Sequence, residues 1–129
     1  MTEQRPGAHM AAEIAQQPDV LAGLVARQAE IAEVAEKISQ HPPRFALLAA
    51  RGSSDHAALY AKYLIEVLLG LPAGLVSPST ATLYGARPDL RDVLFVTVSQ
   101  SGGSPDPIEV TETARRQGAL TVSVTHTPD

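Results

Sequence analysis

The 129-residue sequence contains no cysteine. That absence excludes disulfides, a thiol nucleophile and any thiolate-ligated metal site. Basic residues are also scarce: 10 Lys and Arg stand against 14 Asp and Glu, for a net charge of −4. A nucleic-acid surface needs a basic patch or stripe, so no nucleic-acid partner is expected. No apolar run approaches the roughly 20 residues that a membrane span requires, so no membrane partner is expected either. Met1 to Pro6 lacks the apolar core of a signal peptide, and the expected location is cytoplasmic. Internal repeats and low-complexity segments are absent. The histidines His9, His41, His56 and His126 are scattered with no i,i+4 pair, so no metal site is expected. Paired carboxylates placed for acid–base work are not evident either.

What the chain does have is an alternation of apolar runs and amphipathic stretches. Met1 to His9 is polar and expected to be frayed. Met10 to Gln16 starts a helix that Pro18 is expected to interrupt. A longer helix follows, with Leu21, Leu24, Val25, Gln28, Ile31, Ala35 and Ile38 spaced by three and four. His41-Pro42-Pro43 ends it, because residues before proline avoid the α region. Strands are expected at Phe45–Ala50, Ala73–Ser77, Val93–Ser99 and Leu120–Thr125, with helices between them. Such alternation predicts an α/β fold, a three-layer αβα sandwich around a parallel, flavodoxin-like sheet of Rossmann type.

Two strand-to-helix junctions stand out. Phe95-Val96-Thr97-Val98 runs into Ser99-Gln100-Ser101-Gly102-Gly103-Ser104-Pro105-Asp106, and a helix is expected from about Pro107 to Gln117. Backbone N–H groups at a helix start, together with the hydroxyls of Ser99, Ser101 and Ser104, suit an anion such as phosphate. The loop lacks the Lys of a Walker loop and the glycine spacing of a dinucleotide fingerprint, so neutral donors would hold the anion. The second junction repeats the device: Phe45 to Ala50, then Arg51-Gly52-Ser53-Ser54-Asp55, then a helix from Ala57 to Leu69. Ligands of parallel sheets sit beyond the carboxyl ends of strands, so both loops point to one shared ligand. The plainer alternative makes Ser53, Ser54 and Ser104 helix N-caps and nothing more. Arg51, at a strand's carboxyl end, can pair with a carboxylate or with ligand, and the structural ion pair is the leading reading. For His56, packing or solvation leads over ligand contact. Lys62 and Glu66 are spaced as a surface pair, and Glu109 and Glu112 lie on an exposed helix face.

These stretches resemble the SIS (sugar isomerase) domain, specifically the isomerase part of glucosamine-6-phosphate synthase and related glucosamine-6-phosphate deaminases. Met10-Ala11-Ala12-Glu13-Ile14 with Gln16-Gln17-Pro18 is similar to the opening M-x-x-E-I-x-x-Q-P of that family. Ala50-Arg51-Gly52-Ser53-Ser54 with His56-Ala57 and Ala61-Lys62-Tyr63 resembles its A-R-G-[ST]-S-x-x-A…A-K-Y segment. Pro78-Ser79 with Thr82-Leu83-Tyr84 resembles the segment before the third strand, and Ser99-Gln100-Ser101-Gly102 is the S-Q-S-G signature. The resemblance implies that Ser53, Ser54, Ser99, Gln100, Ser101 and Ser104 hold the phosphate of a hexose or hexosamine 6-phosphate, with Arg51, Gly52, Gly102 and Gly103 as supporting loop. It implies no cofactor. Gly103 stands where the synthase subgroup usually has Glu, and Gly103-Ser104-Pro105-Asp106 looks more like deaminase-type and uncharacterised SIS proteins.

Family enzymes carry two SIS halves, with their proton-transfer Glu, His and Lys in or after the second. Nothing here matches those positions. Residues 10–129 are therefore expected to form a single SIS domain, the first of a tandem pair, without catalytic residues of its own and dimeric in the full-length protein. Two function classes follow from the resemblance. One is the phosphosugar-binding half of an aldose–ketose isomerase, deaminase or aminotransferase. The other is a non-catalytic sugar-phosphate sensor. Sensors of this kind in transcriptional regulators follow a basic helix-turn-helix, whereas Glu13, Asp19, Glu30, Glu33 and Glu36 make the N-terminal stretch acidic. The uncovered row of Leu120, Val122 and Val124 is expected to promote association.

Overall fold

The computed structural model describes residues 6–103 and 105–126, and the chain divides between Ser39 and Gln40 into two compact units. In the first, Gly7 adopts a left-handed conformation (φ 80°) and opens α1 (Ala8–Ala26). This helix starts inside the stretch expected to be frayed, of which residues 1–5 lie outside the described residues. Pro18 does not interrupt it as the sequence predicts; it sits within the helix. Proline costs a helix its own N–H bond to the carbonyl four residues back, and here the ten residues before it and eight after it still propagate the turn. The break comes instead at Arg27 (φ −93°, ψ 23°), inside the segment expected to be one long helix. The Arg27 N–H donates back to Leu24 O at 3.1 Å, and its guanidinium pairs with Glu30 at 2.6 Å across the start of α2 (Gln28–Gln40).

The second unit holds the sheet. Its elements follow as β1 (Phe45–Ala50), α3 (Ser54–Leu69), β2 (Ala73–Leu75), α4 (Ser79–Thr82), β3 (Val93–Ser99), α5 (Pro105–Arg116) and β4 (Leu120–Thr125). The strands pair in the order β2-β1-β3-β4, all parallel, as the alternation predicts. β1, β3 and β4 have the expected bounds. β2 is shorter than expected and stops at Leu75, and a single helical turn, α4, stands between β2 and β3. α5 begins two residues ahead of expectation, because Pro105 presets a helical φ at a first-turn position that needs no N–H. α3 ends at Gly70, whose left-handed φ of 61° suits a residue without Cβ.

Strand alternation sorts the core into two faces. Ala49 and Phe95 pack with Ala81, Leu90, Val110 and Ala114 under α4 and α5. Ala46, Leu48, Ala50 and Leu94 point the other way, toward the face that α3 covers with its buried Ala58. Phe95 and Leu48 are the largest fully buried side chains, and each contributes roughly 1.5–3 kcal/mol by leaving water. The alanines of β1 keep the centre of the sheet thin, so helices on both faces come close. β4 is an edge strand whose Leu120, Val122 and Val124 lie in register with Leu94, Val96 and Val98.

Candidate functional site

β1 and β3 are adjacent, with Ala50 opposite Val98, so the loops that follow them leave the sheet side by side. The chain first crosses from β1 to β2 on one side and only later places β3 on the other. The two loops therefore flank the point where the direction of winding reverses, the crevice in which open parallel sheets bind ligands.

The first loop presents Arg51, Gly52, Ser53 and Ser54, and the second presents Ser99, Gln100 and Ser101. These seven residues, with Val98 and Pro107, line one pocket of about 220 Å³. Pockets for drug-sized ligands run from about 300 to 1,000 Å³, so this one suits a compact polar group. Gly102 faces a neighbouring groove of about 550 Å³ that shares Ser99 and Pro107 with it but is walled by Ile108 and Val124. The hydroxyls converge in the smaller cavity. Ser104 lies outside the described residues, and Gly103 is exposed with open space beside its Cα.

The hydroxyls are placed to donate. Ser53 occupies the N-cap of α3, yet its side chain makes no capping bond. Ser99 Oγ accepts the Gly102 N–H at 3.1 Å, and Ser101 Oγ accepts the Gly103 N–H at 3.2 Å. A hydroxyl whose oxygen accepts from the backbone still holds a proton to give, and an anion is the acceptor that benefits most. These two N–H groups are thus spent inside the loop. The backbone donors expected at the helix start therefore do not include the Gly102 and Gly103 N–H groups. In the first turn of α5, Pro105 and Pro107 carry no N–H.

Gly102 is required by its surroundings. Its φ is 66°, and a Cβ there would meet Thr125 Oγ1 at 2.8 Å. The loop leans over the end of β4, where the His126 N–H donates to Gln100 O at 3.2 Å.

Two contacts fix the loops. Arg51 Nη1 lies 3.0 Å from Asp106 Oδ2, joining the first loop to the opening turn of α5, as the leading reading of Arg51 anticipates. Thr111 Oγ1 donates to Pro107 O at 2.6 Å and meets Thr97 Oγ1. Sequence alone gives no partner for Arg51, and it gives no signal for the threonine pair. His56 is exposed in the first turn of α3, outside the pocket lining. Lys62 pairs with Glu66 at 2.8 Å, and Glu112 with Arg116 at 3.0 Å, as surface pairs. Among the described residues no group of three or more His, Asp or Glu is placed to hold a metal ion, and no helix is long and apolar enough to cross a membrane.

Parallel strands with helices, and a hydroxyl-lined crevice at the winding reversal, define a parallel α/β domain with a small polar pocket at its switch point. More narrowly, a family model for the SIS domain matches residues 42–129, and the chain belongs to that family. A solved structure from Silicibacter pomeroyi DSS-3, provisionally described as a phosphosugar isomerase, superposes with a TM-score of 0.86 at 42% identity, covering 92% of this chain and 36% of that one. Among curated relatives, a glutamine–fructose-6-phosphate aminotransferase [isomerizing] from Symbiobacterium thermophilum is 41% identical over 61% of this chain and 13% of its own length. The enzyme of the same name from Chlamydia pneumoniae is 29% identical over 95% of this chain and 21% of its own. The chain thus spans about a fifth or less of the curated relatives it matches.

Proposed function

We propose that the serine pocket holds the phosphate of a hexose or hexosamine 6-phosphate. On this reading the chain is the first SIS half of an aldose–ketose isomerase, deaminase or aminotransferase acting in the cytoplasm, dimeric when full length. One observation carries the reading: hydroxyl-rich loops from adjacent strands meet in one small pocket, with the Ser99 and Ser101 oxygens already accepting backbone N–H groups. The names of the relatives, which act on or are assigned to phosphosugars, agree with it.

Such a site binds and orients; it does not move protons. Isomerisation between C1 and C2 of a sugar needs a base near those carbons. Among the described residues Arg51 is the one ionisable side chain in the pocket lining, and a guanidinium offers hydrogen-bond donors and no acceptor, so it does not serve as that base. The isolated chain is therefore expected to show no ammonia release from glucosamine 6-phosphate. The same lack keeps a sugar-phosphate sensor as the second reading.

Titration calorimetry with glucosamine 6-phosphate and fructose 6-phosphate tests the assignment. Hydrogen bonds to a charged group are worth about 1.5–3 kcal/mol each, so Ser101→Ala should weaken binding roughly tenfold or more. Unchanged affinity in a Ser99→Ala/Ser101→Ala double variant overturns the site.

A further inference from the structure

Among the described residues Arg51 is the only cation in the lining of the serine pocket, and it is paired with Asp106 at 3.0 Å. Both side chains are about half exposed, at 59% and 46%, so the pair adds little to stability. Its value lies in where it stands. Asp106 is in the opening turn of α5, between Pro105 and Pro107, and Pro107 itself lines the pocket. The carboxylate therefore ties the guanidinium to the wall opposite its own loop. A guanidinium carries five N–H donors, so a carboxylate partner leaves donors for a second acceptor in the pocket.

Resting on the phosphosugar reading above, we propose that Asp106 is a positioning residue that holds Arg51 against the pocket and offsets its charge. The phosphate ester then meets neutral hydroxyls beside a compensated cation. An unshielded Arg would bind any small anion tightly and with strong dependence on salt. A compensated one leaves the serines to select, and lets ligand leave readily.

The pair makes a prediction of sign that a simple strut between loops does not. Asp106→Asn frees the charge of Arg51, so fructose 6-phosphate should bind about three- to tenfold tighter at low ionic strength, with steeper loss of affinity as NaCl is added. Arg51→Gln should weaken binding by a similar factor. In the Arg51→Gln background, Asp106→Asn should change little, because its effect runs through the arginine.

Titration calorimetry of fructose 6-phosphate against the four proteins of this cycle, at low and raised NaCl, is the test, with thermal melts confirming that each is folded. Should Asn disturb the start of α5, Asp106→Ser, which retains a residue favoured at helix starts, serves in its place. Tightening that vanishes without Arg51 supports the proposal. Weaker or unchanged binding in Asp106→Asn overturns it, and so does tightening of equal size in both backgrounds, which marks direct repulsion of ligand by Asp106. If the unaltered chain and every variant fail to bind, the phosphosugar reading itself falls and takes this one with it.

Discussion

Thr97 and Thr111 meet hydroxyl to hydroxyl at 2.5 Å, one at the centre of β3 and 4% exposed, the other on α5. Because Thr111 gives its proton to Pro107 O, Thr97 is the donor between them. This chain seats the first turn of α5, and hence one wall of the pocket, on the strand. Thr111→Val leaves the Thr97 hydroxyl buried without its acceptor and should cost about 1–3 kcal/mol. Thr97→Val removes only a donor to an oxygen already engaged, and should cost nearer 1 kcal/mol. The double variant should cost less than the sum of the two, as measured by denaturant unfolding.

Gly102 and Gly103 are neighbours with opposite demands. Gly102→Ala puts a Cβ against Thr125 at a left-handed φ and should destabilise by about 1–3 kcal/mol while weakening sugar-phosphate binding. Gly103→Ala meets nothing within 4 Å and has no such φ, so both properties should stay close to those of the parent. Chemical denaturation and calorimetry on the two variants check the contrast.

Before β3, the Arg91 guanidinium and then the Arg91 N–H bond to the Asp89 carboxylate and lower its pKa from 3.8 to about 2. A depressed carboxylate contributes stability that is complete above its unfolded pKa and fades as pH falls toward the folded one. The window is therefore about pH 4 down to 2, and the exposed pair should be blunted by salt. An NMR titration of the Asp89 carboxyl reads this directly, and Arg91→Gln should return it toward its ordinary value.

Among the described residues β4 is paired along one edge only, with Leu120 at 38% and Val124 at 55% exposure. Open edges beside apolar surface template association. The 129-residue chain should self-associate with rising concentration in sedimentation velocity, and Val124→Lys should reduce it. A sharp, concentration-independent monomer contradicts this.

The sheet was legible because its signal is local. Phe45–Ala50, Val93–Ser99 and Leu120–Thr125 are apolar or β-branched runs that end abruptly at polar loops, and those bounds are the ones observed. The serine loops were legible for the same reason. Pro18 misled, because a proline's preference acts on one bond whereas helix propagation sums over many. What no window of sequence could supply was pairing across the fold. Arg51 calls for a carboxylate, but only the β1–β3 register brings Asp106 to it. Nor does composition say that Ser99 and Ser101 spend their oxygens on Gly102 and Gly103.

The strand order has a consequence for how the pocket comes into being during synthesis. β1, α3 and β2 emerge together and can pair early, yet they hold only half the lining. The other half arrives when β3 docks on the free side of β1 and α5 locks behind it, a step that closes a long loop of chain. On the phosphosugar reading proposed above, a ribosome-bound chain should therefore be blind to ligand until Pro107 has cleared the exit tunnel. From then on, ligand present in the cell would trap the docked state, drawing folding toward completion by mass action.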